Sequence, residues 1–123
     1  MAKYEHRFTA NFDDFLNRLH EEILRGSITA SYQEGSDYVG DGVRCAVRVY
    51  ERYSVIGSNR LSANVTLVGN GERLFLSIIA SGGSQAMFFK MNTWGEENFL
   101  KEIVQIVESY EKSSKKKSDG KLV

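Results

Sequence analysis

The sequence predicts an α+β fold: a two-layer sandwich in which an antiparallel meander sheet carries two helices packed on one face, in the order β-α-β-β-β-β-(β)-α. Three observations predict it. Residues 61–80 alternate in polarity on either side of Asn70-Gly71, a dipeptide that favours the positive φ of a hairpin turn. Two segments, one near each end of the chain, carry apolar residues at helical spacing. Further alternating stretches lie between them. An apolar helix stripe and a half-apolar sheet both need cover, and a single sandwich supplies it for all of them.

The hairpin comes first because it sets a register. With Gly69 facing Glu72, Leu67 faces Leu74, Val65 faces Leu76, Ala63 faces Ile78 and Leu61 faces Ala80, all on one face. The other face then carries Ser62, Asn64, Thr66 and Ser77 together with Phe75 and Ile79. A slip by one residue would exchange the two faces, so the sorting itself argues for the hairpin.

The remaining elements follow in chain order. Residues 4–10 alternate, with Tyr4, His6, Phe8 and Ala10 on one side, as a short strand. Asn11 is suited to cap a helix, with Asp13 and Asp14 in its first turn. That helix runs to about Arg25 with a stripe of Phe12, Phe15, Leu16, Leu19 and Ile23, and Gly26 stops it. Residues 28–34 form a second strand, and residues 35–42 (GSDYVGDG) a loop by composition. Residues 43–54 form a long strand. Its Val43, Cys45, Val47, Val49 and Tyr53 point to the core, with Glu51 the exception, while Arg44, Ala46, Arg48, Tyr50 and Arg52 point away. Gly57-Ser58-Asn59 turns the chain into the hairpin. Residues 85–91 (QAMFFKM) form a further strand, and Thr93-Trp94-Gly95-Glu96 matches a capping box. The second helix runs from about Trp94 to Tyr110, with Phe99, Leu100, Ile103, Ile106, Val107 and Tyr110 on its apolar side. Residues 1–110 are thus one domain, and residues 111–123 a flexible lysine-rich tail that buries too little to order itself.

Composition bounds the function. The chain has 123 residues with a formal net charge of zero, so bulk charge points neither to nucleic acid nor to a membrane surface. The five lysines after Glu111, set against Glu111 and Asp119, leave the tail basic and the body net acidic, which argues further against nucleic acid. The charged N-terminus lacks the apolar core of a signal peptide, and the single cysteine excludes an intrachain disulfide. A cytoplasmic location is the expectation.

Three stretches, RCAVRVYERYS, NVTLVGNGERLFLS and SGGSQAMFFKMNTWGEENFL, resemble an uncharacterised family of small single-domain bacterial proteins of unknown function. The resemblance implies one domain and a bacterial source, and implies no activity. The element order is also similar to helix-grip and TATA-binding-protein-like domains, a likeness of layout alone.

The candidate functional surface is the outer sheet face. Arg44, Arg48 and Arg52, with Tyr50 among them, form a stripe that would lie beside Phe75 and Ile79. Such a face suits a binding or interaction domain, with a homodimer as its simplest form; the plain alternative is a wet face whose arginines pair with nearby carboxylates. A second functional reading is a helix-grip-like pocket for a small ligand between sheet and helices. No nucleophile, base and oxyanion donor fall together, so the residues do not point to an enzyme. His6 and His20 lack metal-ligand spacing, and no metal or cofactor is expected. His6 is expected at the core edge with a hydrogen-bond partner, and Cys45 as a small hydrophobe among valines.

Overall fold

The chain begins with a strand and a helix whose junction is fixed by one side chain. Asn11 Oδ1 accepts from the Asp14 N–H at 2.9 Å, which satisfies an otherwise orphaned donor in the first helical turn. The computed structural model describes residues 1–26, 30–54, 59–82 and 89–121. Along them run β1 (Ala2–Thr9), α1 (Phe12–Gly26), β2 (Ala30–Gly40), β3 (Val43–Ser54), β4 (Asn59–Asn70), β5 (Arg73–Gly82) and α2 (Phe89–Lys121). The strands form one antiparallel sheet in the order β1-β5-β4-β3-β2. The first strand therefore lies against the last, and the meander fills the rest of the sheet.

Two tight turns set the registers. Asp41 and Gly42 both have positive φ, 53° and 78°, the type I′ arrangement whose twist suits adjoining strands. This turn pairs Gly40 with Val43 and Tyr38 with Cys45. It overturns the loop expected over residues 35–42: most of that stretch continues β2, because the pairing to β3 supplies its backbone hydrogen bonds despite a loop-like composition. In the β4–β5 hairpin only Gly71 takes positive φ, at 61°. Gly71 thus occupies the first central position, with Asn70 paired to Arg73. The register differs by two residues from the expected one: Leu67 faces Leu76 and Val65 faces Ile78. A shift of two keeps every side chain on its expected face.

The core lies between one sheet face and both helices. Phe15, Leu19, Phe99, Ile103 and Val107 from the helices meet Val65, Leu67, Leu76 and Ile78 from the sheet, all at most 1% exposed. Burying each such side chain contributes on the order of 1.5–3 kcal/mol. α2 departs from expectation at both ends. It starts at Phe89, so the Thr93-Trp94-Gly95-Glu96 stretch is helix interior rather than a cap, and residues 89–91 are helical rather than strand. It also continues to Lys121, so the backbone of residues 111–121, within the stretch expected as a flexible lysine-rich tail, is helical. The expected start of β2 at Ile28 and Thr29, the turn at Gly57-Ser58 and residues 85–88 lie outside the described residues.

Candidate functional site

The arginine stripe does not lie on the outer face. Pairing with β4 decides this: Ala46, Arg48, Tyr50 and Arg52 sit opposite Leu67, Val65, Ala63 and Leu61, all four on the core face. Ala46 and Tyr50 are each only 1% exposed. The valine row of β3, expected in the core, faces outward instead. Arginine can occupy an inward row near the rim of a core because its stem covers apolar surface while its head reaches out. Here each head finds a carboxylate. Arg44 meets Asp13 on α1 at 2.9 Å, Arg48 meets Asp37 on β2 at 3.0 Å, and Arg52 meets Glu102 on α2 at 2.7 Å. Arg44 also stacks over Phe12 at 4.1 Å and Arg52 over Phe99 at 5.6 Å. Arg44 and Arg52 therefore strap the sheet to the two helices. The Asp13 carboxyl is held below the usual carboxylate range by its hydrogen bond from Arg44.

Phe75 and Ile79 do lie on the outer face. The registers join all five strands there into four rows. Three are Lys3–Ile79–Asn64–Val49–Glu34, Glu5–Ser77–Thr66–Val47–Ser36 and Arg7–Phe75–Val68–Cys45–Tyr38; the fourth, Thr9–Arg73–Asn70–Val43–Gly40, lies at the end of the sheet with the two tight turns. Valines and Cys45 take the place in the rows that the arginines are expected to hold, so this face is less polar than the sequence suggests. Cys45 does sit among valines, but on this half-buried surface rather than in the core. Ile79 is 38% and Tyr38 60% exposed. In the first three rows the charges lie at the ends, with Lys3, Glu5 and Arg7 on β1 and Glu34 on β2, while Arg73 on β5, Glu51 on β3 and Arg60 on β4 are outward charges nearer the ends of the inner strands. Arg7 lies over the Phe75 ring at 5.3 Å. Glu51, the polar exception in the row expected to point to the core, and Glu34 also face out; Glu51 pairs with Arg60 at 3.2 Å, and Glu34 accepts from the Gly35 N–H. The missed members are the outward valines and Tyr38. The Asp41-Gly42 dipeptide was the signal, since a two-residue turn there extends the strand and brings Tyr38 beside Cys45.

Three other polar features sit on the helix side. His20 Nδ1 and the Tyr50 hydroxyl are 2.7 Å apart, with Tyr32 against both rings; burial raises the Tyr50 phenol far above its ordinary value. His6 is 2.6 Å from Glu111, the satisfied edge histidine that its strand position predicts. A groove of about 390 Å³ runs between α1 and α2, lined in part by Ile23, Phe99, Ile103 and Ile106. Among the described residues its lining comes from α1 and α2, with no sheet residue, so it lies between the helices rather than between sheet and helices.

Fold and surface define a two-layer α+β domain with both helices on one sheet face and, on the opposite face, rows that mix apolar and small polar residues and that no other element among the described residues covers. Among the described residues no group of His, Cys, Asp and Glu is placed to hold a metal ion, and no helix is long and apolar enough to cross a membrane. The chain belongs to the DUF6054 family, a family of unknown function, whose match covers residues 1–111. No curated protein matches the chain.

Proposed function

We propose that the protein is a small non-enzymatic interaction domain of the cytoplasm that pairs with a second copy of itself through the outer sheet face. The observation that supports this is the row structure of that face: in the three rows named above, six of the nine positions on β5, β4 and β3 are apolar (Ile79, Val49, Val47, Phe75, Val68 and Cys45), with the small polar Asn64, Thr66 and Ser77 between them, and the charges of those rows lie on the border strands. Apolar cores with polar rims are the anatomy of a protein interface. Its size is adequate too: five strands about 4.8 Å apart and some nine residues long span about 24 Å by 30 Å, close to the roughly 800 Å² per partner of a stable interface.

The alternative, a small ligand held between sheet and helices, has less support. The side chains along that seam are packed on one another, with Leu67, Leu76 and Ile78 fully buried.

The test is light scattering on a sizing column across a concentration series, for the native chain and for Val47→Lys. Val47 points outward from the second row, so lysine there leaves the core untouched. The expected result is a dimer that Val47→Lys converts to a monomer with unchanged circular dichroism. A native chain that stays monomeric at every concentration overturns the proposal.

A further inference from the structure

We infer that the two copies pack with their two-fold axis parallel to β4, so that β1 of one copy lies over β2 of the other and Lys3 meets Glu34 of the second copy. This rests on the self-pairing reading above and adds the geometry of the pair. In the aligned class of sheet packing, facing sheets keep their strand directions within about 30° of each other. A two-fold axis lying between the sheets then runs either along the strands or across them. The charges on the border strands distinguish the two.

Consider an axis across the strands through the second row, the position that overlaps the first three rows. Each border strand then lies over its own image. Glu5 meets Glu5 and Lys3 meets Arg7, so like charges oppose one another at the β1 edge, which is destabilising. An axis along β4 reverses each row onto itself instead. Because β4 is the middle strand of five, the reversal places β1 over β2 with no loss of overlap. The row Lys3–Ile79–Asn64–Val49–Glu34 then sets Lys3 over Glu34 and Ile79 over Val49, with Asn64 over its own image, where two amides are each donor and acceptor. The row Arg7–Phe75–Val68–Cys45–Tyr38 sets Arg7 over the Tyr38 ring, Phe75 over Cys45 and Val68 over its own image. Glu5 falls over Ser36. Every charged residue of these three rows meets an opposite charge or a polar or aromatic group.

The side chains are available for this. Lys3 and Glu34 are both exposed. Lys3 is held only at 3.9 Å from Glu5 within its own chain, a loose contact that leaves its ammonium able to reach across. A two-fold axis makes each Lys3–Glu34 contact twice, so one substitution acts at both ends of the interface.

The experiment is a charge exchange read as the dimer dissociation constant by analytical ultracentrifugation. Lys3→Glu and Glu34→Lys alone each place like charges together twice, and each should weaken the dimer by about tenfold or more. The double variant restores opposite charges and should return to within about threefold of the native value. If neither single change alters dissociation while Val47→Lys still abolishes the dimer, the face is correct and the axis is wrong. If the single variants weaken the dimer and the double variant does not recover, the Lys3–Glu34 contact is likewise overturned. A native chain with no dimer removes the self-pairing itself.

Discussion

Tyr110 shows how a single buried hydroxyl ties the helices together and makes the fold sensitive to base. Its hydroxyl donates to Asp14 Oδ2 at 2.7 Å, joining α2 to the first turn of α1. Burial, and after it this hydrogen bond, push the phenol from 10.0 up to about 12. In the unfolded chain the phenol ionises near its ordinary value, while the folded chain keeps the proton. Its contribution to stability is therefore complete below pH 10 and is lost as pH rises towards 12. Tyr50 and Tyr4 are shifted in the same direction, so they add to the effect. Urea denaturation at pH 9, 10 and 11 should show falling stability, and Tyr110→Phe should make that fall shallower; an identical slope would mean that Tyr110 is not the group responsible. At this scale the sequence was partly legible. His6 lies where alternation puts it, with its partner, and Phe75 and Ile79 are on the expected face. The arginine stripe was misplaced because hydropathy alone ranks a row of valines as the inner one. It does not register that Arg44 and Arg52 can reach Asp13 and Glu102 from the rim of the core while covering Phe12 and Phe99.

At the scale of elements, turns carry most of the specification. Gly71 holds the β4–β5 hairpin at φ 61°, a conformation that costs other L-residues roughly 1–2 kcal/mol. Gly71→Ala should lower the unfolding free energy by about that amount, with no change in oligomeric state, because the turn lies at the end of the sheet rather than on its face. Chemical denaturation monitored by circular dichroism checks this, and a loss below a few tenths of a kcal/mol would mean the turn relaxes to accept the side chain. The same turns explain what could be read in advance. The first helix was legible because cap, acidic first turn and apolar stripe agree. The second half of β2 was not, since Gly35-Ser36-Asp37 is poor strand chemistry and only its pairing to β3 holds it extended. The start of α2 was obscured by a Thr-Trp-Gly-Glu sequence that satisfies a capping pattern yet lies inside a longer helix, whose first residue is Phe89.

At the scale of the whole molecule, the two sheet faces differ in what packs on them. One is closed by helices and strapped by arginines, and the other presents rows of aliphatic, aromatic and small polar residues, with Lys3, Glu5, Arg7 and Glu34 on the border strands. Self-pairing through those rows carries a distinctive response to salt. Added salt screens attraction at the native Lys3–Glu34 contacts and screens repulsion in Lys3→Glu, with a Debye length of about 10 Å at 0.1 M and 3 Å at 1 M. The dissociation constants of the two proteins should therefore converge as sodium chloride is raised, as sedimentation at a series of concentrations would show. A gap between them that stays constant across the series would mean that lost packing, rather than charge, separates the two.

The irregularity in β2, where pairing skips between Tyr32 and Glu34, has a consequence for assembly. Border strands offer unclaimed amides and carbonyls on which another chain can grow, and growth of that kind has no natural end. An extra residue that bends the border spoils the template. In the proposed pair, contact through the flat of the sheet is used up once two molecules have met, so a buckled margin and a broadside contact would together favour a finite couple over a filament.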